Sequence, residues 1–366
     1  MSPRHDDDAP ALTAAVSGGE VVLRPWAEGD DLRLLEVWGD PADVQQHQDR
    51  AMLAADADSP WRRTLVAEED GVPVGAAVAF AQPLHPGRLW VYGEVARTVR
   101  GRGVGRALLE ALRGLVAAAH EAGAVPTTEL KARFAVASRV PVGGGEVVEA
   151  APQAGAAGAP EAGAAGAEAH AAQVAATERF LVAAGFTPVQ RSRRIAVAPG
   201  VIALPALRDE EHPEGRVLEE ISTGSVELTR AVAAFYDAAH AWDPSQMSVG
   251  AAQQLILGPQ TGAAGAVVLR DAPREDGGTI QAFAVSYTAE RQDAPADVLL
   301  GWDPSLGFEE AQLAVGDLLA LLVAQHPVQV EADEAMTALE PVLDALLAKR
   351  AAGTLVDTRV WATDPS

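Results

Sequence analysis

The sequence predicts an α+β fold: an α/β/α sandwich around mixed, mainly antiparallel sheets, laid down twice in tandem. Three observations lead there. The chain has 366 residues, 48% of them apolar, enough for two cores at the usual ~100–200 residues per domain. Strand-like and helix-like apolar periods follow the order β-α-β-β-β-α-β-α-β in each half. Between a strand and a helix of the first half lies RTVRGRGVGR (97–106), which places four arginines and three glycines together in a chain of formal charge −23.

Residues 1–18 are polar and aperiodic and are expected to be a disordered tail. The first domain is then expected over 19–199. VVLRP (21–25) reads as a strand, and GDDLRLLEVWGD as a helix capped by Asp30 with Leu32, Leu35 and Trp38 on one face. TLVAEED and GVPVGAAVAF form a hairpin, with Asp70-Gly71 supplying the positive φ angles of a tight turn. RLWVYGEVA (88–96) is a further strand. Leu108, Leu109, Leu112, Leu115, Val116 and Ala119 recur at helical period until Gly123 stops the run. In TELKARFAV, Leu130, Ala132, Phe134 and Val136 alternate with Glu129, Lys131 and Arg133, the pattern of a half-buried strand. From about 140 to 169 the chain is Ala/Gly-rich and has almost no large apolar residue, so a flexible insertion is expected, with a frayed helix allowed near its end. A helix through Val174, Phe180 and Leu181 closes at Ala184-Gly185-Phe186, and TPVQRSRRIAVAP completes the domain.

The second domain, expected over 215–366, repeats the order without the letters. RVLEEIS, a helix with Val232, Phe235 and Ala239 in register, a hairpin across APREDGG and the strand ADVLLGWDP come first. The helix FEEAQLAVGDLLALLVAQ, the strand PVQVEAD, the helix EAMTALEPVLDALLAK and the strand TLVDTRVWAT follow.

Composition excludes several functions. There is no cysteine, hence no disulfide, thiolate nucleophile or Cys-ligated metal. The eight histidines show no H-x-H or H-x-x-x-H spacing, and no metal is expected. The acidic balance argues against nucleic acid, which needs cations along the phosphate track. No run of ~18 apolar residues suggests a membrane span, and no basic, then apolar, leader begins the chain; a cytoplasmic protein is expected.

The Arg–Gly stretch carries the chemistry. A helix's first turn leaves backbone N–H groups unpaired and bears partial positive charge. Glycines admit a ligand close to that backbone and arginines add full charge, which together suit a phosphate or pyrophosphate. A P-loop fails because no Lys-Ser or Lys-Thr follows. A dinucleotide fingerprint fails because Arg106 or Leu108 falls where the third glycine belongs. What fits is Arg100-Gly101-Arg102-Gly103-Val104-Gly105-Arg106-Ala107, which resembles the [QR]-x-x-G-x-[GA] loop of the GNAT superfamily of N-acetyltransferases. LRP in the first strand, the Asp-Gly hairpin, the strand ending at Val95 and the closing FLVAAGF are similar to that family's elements in order.

The resemblance implies a mechanism. Backbone N–H groups of residues 101–107 would hold the pyrophosphate of acetyl-CoA, the co-substrate. The strand ending at Val95-Ala96 would splay from its neighbour, with an N–H near Val95 polarising the thioester carbonyl. A primary amine of a small molecule or peptide would attack directly, its proton taken by Glu94 or by Glu129. Many members place a Tyr four residues before the closing Gly as general acid; Leu181 stands there, and Tyr92 is the substitute on the strand. The second half has PSLGFEEAQLAVGDLL where the loop belongs. Glu309 and Glu310 would repel a pyrophosphate, so it resembles a degenerate copy. Trp302, Tyr236 and Trp242 would line one wall of an acceptor pocket or pack in a core. Three readings stay open: an acetyltransferase, a non-catalytic acyl-CoA-binding module, and a transferase similar to mycothiol synthases, whose C-terminal half does the chemistry. A monomer and a homodimer are both compatible.

Overall fold

In the computed structural model, residues 12–41, 44–136, 164–288 and 296–364 are described. They fall into two units that do not follow sequence order. The first takes Met1–Ala135, Ala175–Val189 and Val360–Ser366, the second Val136–Val174 and Gln190–Arg359. The sequence reading placed the whole of 19–199 in one domain and 215–366 in the other. Backbone pairing explains the difference. Residues 192–197 pair with 328–333, whereas the Thr363 N–H bonds the Leu130 carbonyl at 2.9 Å.

The first unit opens with a hairpin, β1 (Leu12–Val16) and β2 (Gly19–Pro25), paired antiparallel from Leu12↔Leu23 to Val16↔Gly19. Residues 12–18 are therefore ordered, against the expectation of a tail; residues 1–11 lie outside the described part. The turn is held by Arg102, whose Nε donates to the Ser17 carbonyl at 2.8 Å while the Ser17 N–H donates to the Arg102 carbonyl, also at 2.8 Å.

Helix α1 (Asp30–Trp38) has Gly29, not Asp30, as its N-cap. Asp30 is 1% exposed and accepts from the Ala27 N–H and from both terminal nitrogens of Arg24. Burial acts to raise its pKa, but these donors hold its carboxyl below the ordinary value. The apolar face is also rotated from the expected one. Leu34 is buried, whereas Leu32 and Leu35 are exposed, because the helix lies on β5 through Leu34. Helix α2 (Val44–Arg50) and the short β3 (Ala57–Asp58) lead to β4 (Trp61–Glu69) and β5 (Val72–Phe80). Asp70 and Gly71, with φ of 51° and 78°, make the tight turn that the Asp-Gly pair predicts.

β6 (Leu89–Val95), α3 (Val104–Glu121) and β7 (Leu130–Ala135) follow. Strands run β1-β2-β4-β5-β6-β7. Alternate residues of β4 and β5 face two cores. Leu65, Ala77 and Ala79 meet Leu108, Leu112 and Val116 of α3, while Val66, Ala76 and Val78 meet Leu34. β7 departs from the half-buried expectation. Lys131 is 1% exposed, its ammonium 4.6 Å from the centroid of the Trp90 ring. The expected insertion, about 140–169, falls mostly outside the described residues, but from Ala164 the chain is already helix α4 (Ala164–Ala183). α4 ends as its letters predict: Gly185 has φ 81°, and the N–H of buried Phe186 reaches back to the Leu181 carbonyl.

The second unit contains most of β8 (Thr187–Val197), then β9 (Val217–Ile221), α5 (Val226–Ala239), α6 (Val249–Ala252), β10 (Ala263–Arg270) and β11 (Ile280–Tyr287). It continues with β12 (Ala296–Trp302), α7 (Phe308–Leu322), β13 (Val328–Asp333), α8 (Glu340–Ala348) and β14 (Ala352–Ala362). From β8 the strands run β8-β13-β12-β11-β10-β9, parallel only between β12 and β13. The order β-α-β-β-β-α-β-α-β thus occurs in both halves of the chain, with β1, α2 and β3 as additions in the first and α6 in the second.

Candidate acyl-transfer site

β6 sits between two neighbours of different reach. On one side it pairs with β5 from Phe80↔Trp90 to Gly75↔Val95; on the other it pairs in parallel with β7 only at Leu89↔Leu130 and Trp90↔Lys131. Beyond Trp90 the two strands part. The Ala96 N–H donates to the Val74 carbonyl at 2.7 Å and fixes the phase of the ladder. Facing directions alternate in an antiparallel pair, so the backbone groups of Val91, Gly93 and Val95 point away from β5, into the gap. Val95 thus presents its N–H to the gap, whereas the Ala96 N–H is already used in the ladder.

The open end of this gap meets the N-terminus of α3. Gly103 is the N-cap with φ 99°, and Gly101 has φ 76°; both angles are strained for any residue with a Cβ. The Ala107 N–H bonds the Gly103 carbonyl, so Ala107 is not a donor to a ligand. The N–H groups of Val104, Gly105 and Arg106 belong to the first turn, before intrahelical acceptors begin. Val104 is 1% exposed; its side chain anchors the helix in the core.

The arginines divide into two kinds. Arg102 is tied into the fold: its guanidinium grips Glu69 through both terminal nitrogens and Ser17 through Nε. Arg100 and Arg106 are exposed, and Arg100 Nε rests on the Val95 carbonyl at 2.9 Å. Sequence reasoning missed Phe180. It is 39% exposed, and its ring lies 3.7 Å from where a Cβ on Gly105 would stand, beside Val95. A half-exposed phenyl at the mouth of the gap suits the apolar stretches of a ligand arm. Its only sequence signal was its place in the helix before Gly185.

The opposite face of β6 carries Trp90, Tyr92 and Glu94, two residues apart. Glu94 is 9% exposed. Its Oε1 accepts from Gln46 Nε2 at 3.1 Å and Arg50 Nη2 at 2.9 Å, and its Oε2 from Arg50 Nε and the Tyr92 hydroxyl, both at 2.9 Å. Burial first, and then the charge of Glu94, push the Tyr92 phenol well above its ordinary value. Beside them Asp49 Oδ1 accepts from Arg133 and Gln45. Gln46, Asp49 and Arg50 were not singled out from sequence, where QQHQDR carried no period or motif, and Arg133 was read only as a polar position of a half-buried strand. Glu129 does not join this group. It precedes β7, its carbonyl accepts from the Leu89 N–H, and its carboxylate is bonded by the Thr363 hydroxyl. That is the paired end of the gap, ~17 Å along β6 from Glu94 at ~3.3 Å per residue.

The second unit repeats the strand pair without the machinery. β12 pairs with β13 from Ala296↔Val328 to Val298↔Val330, so the sixth residue of β12, Gly301, stands where Glu94 stands in β6. A Cβ there would collide with the Phe283 ring and lie 2.9 Å from Phe235 Cδ1. Phe235 packs edge-on against Phe283 and Trp302, so Trp302 is core. α7 starts at Gly307 with Glu309 and Glu310 in its first turn.

The candidate site is thus a parted strand pair that opens onto a glycine-capped helix N-terminus. Residues 60–139 match the acetyltransferase (GNAT) domain family. Over nearly the whole chain the fold is similar to that of a GCN5-related N-acetyltransferase from Sphaerobacter thermophilus (14% identity, 93% of this chain and 95% of that one, TM-score 0.54). A tandem GNAT protein from the clavulanic acid biosynthesis pathway is also similar (15% identity, 94% and 99% covered, TM-score 0.48). No curated protein matches the sequence. Among the described residues no helix is long and apolar enough to cross a membrane.

Proposed function

We propose that the first unit moves an acetyl group from acetyl-CoA to a primary amine of a small molecule or peptide by direct attack. The observation that carries this reading is the parting of β6 from β7 after Trp90 and Lys131, with the bare first turn of α3 at the open end. The residues there fit the co-substrate. The N–H groups of Val104, Gly105 and Arg106, with the exposed Arg100 and Arg106 side chains, meet the pyrophosphate. The free edge at Gly93 and Val95 meets the amides of the pantetheine arm, Phe180 covers its apolar part, and the Val95 N–H polarises the thioester carbonyl. Tyr92 keeps its proton and stands on the acceptor side as a donor. The second unit, with Gly301 in place of a carboxylate and an acidic helix start, carries no transfer site in this reading.

Calorimetry with acetyl-CoA tests it. Binding in the micromolar range, about −8 kcal/mol, is expected, and Arg100→Glu with Arg106→Glu should weaken it at least tenfold. No heat at millimolar ligand overturns the reading.

A further inference from the structure

We infer that the acceptor is a weakly basic amine, of the kind found at a peptide N-terminus, that reaches the site already neutral, and that Glu94 positions α2 and Tyr92 rather than taking the acceptor's proton. The inference rests on the proposed acyl transfer and names its substrate class.

The argument starts from lone pairs. An ionised carboxylate offers about four acceptor positions. Glu94 has all of them filled: two by Arg50, one by Gln46 and one by Tyr92. To take a proton it must first break a bond to a donor, and three of the four bonds come from side chains of α2. Asp49, the other carboxylate on this face, is 3% exposed and is held by Arg133 from β7 and Gln45 from its own helix. The cations that act on Glu94 are Arg50 on α2 and Arg100 on the loop, while Lys131 and Arg133 of β7 lie against Trp90 on the same face. Tyr92 is a donor here, with its titration driven upward. His47 is on the exposed side of α2, and His85 is buried in the turn before β6, at the paired end of the gap. Among the described residues, no group on the acceptor side stands ready as a base.

The reaction balances without one. The amine lone pair forms the C–N bond. The C–S bond breaks with its electrons on sulfur. The one proton that nitrogen sheds is the one the thiolate requires. A base is needed only to deprotonate an ammonium beforehand, so the site selects amines by their own pKa. A peptide α-amine, at ~7.7–8.0, is about one-tenth neutral at pH 7; a lysine-type amine, at ~10.4, is neutral in only about one molecule in 2500.

The test compares Gly-Gly with Nα-acetyl-lysine amide as acceptors, by CoA release from acetyl-CoA with the full chain, between pH 6.5 and 10. The dipeptide should be preferred about 10²-fold in kcat/KM at pH 7, the gap closing toward pH 10, with each profile rising at its amine's own pKa. Glu94→Gln should lower kcat/KM while leaving both midpoints in place. Equal rates at pH 7, or a midpoint that disappears in Glu94→Gln, overturns the inference. So does a protein that binds acetyl-CoA by calorimetry and turns over neither amine. Failure to bind acetyl-CoA at all is a different result and overturns the functional reading itself.

Discussion

Replacing Arg50 by methionine keeps the length of the side chain and removes its charge. The Arg50 and Glu94 side chains are 13% and 9% exposed, so the pair is largely desolvated. Breaking such a pair by removing one partner costs about 3–5 kcal/mol, because the remaining charge stays buried without its counterion. Gln46 and Tyr92 remain to serve Glu94, which places the expected cost near the lower end, about 3 kcal/mol. Glu94→Gln should cost about 2 kcal/mol by the same reasoning in reverse. The double variant should cost about as much as Arg50→Met alone, for a coupling energy of about 2 kcal/mol. Urea unfolding followed by tryptophan fluorescence reads this well, since the Arg50 guanidinium lies 5.3 Å from the ring centroid of Trp38. A coupling below about 0.5 kcal/mol would refute the clamp and restore Glu94 as an available carboxylate.

Two further outcomes follow from the structure. In the second unit, burial first and then Glu331 push the Asp333 carboxyl up to about 7. Its folded value lies above its unfolded one, so its contribution is fully present below pH ~4 and is lost as pH rises through 7; Asp333→Asn should therefore stabilise by up to about 4 kcal/mol at pH 8 and leave stability at pH 4 unchanged, measured by urea titration at both pH values. Gly103→Ala forces a Cβ into φ 99° and should destabilise by about 1–2 kcal/mol while weakening acetyl-CoA binding by calorimetry; unchanged binding argues against the α3 N-terminus as the pyrophosphate site.

Much of this could be read from local letters. The Asp70-Gly71 turn, the stripe of α3, the glycine stop of α4 and the backbone demands of Gly101 and Gly103 all depend on forces that act within a few residues. The candidate site was read from the same kind of local signal, because a glycine-rich turn before an amphipathic helix exposes N–H groups wherever the helix packs. The tertiary structure decided who pairs with whom. Glu69, 33 residues before Arg102, turns one of the expected pyrophosphate ligands into a tie for the first hairpin. Arg50, 44 residues before Glu94, turns the expected base into a saturated ion pair. Lys131 alternates like a solvent-facing residue but lies against Trp90, and β1 is held by a turn contact that its own sequence does not encode. A residue's periodicity fixes which way its side chain points; its ionic partner depends on strand register and helix placement, which bring together groups far apart along the chain.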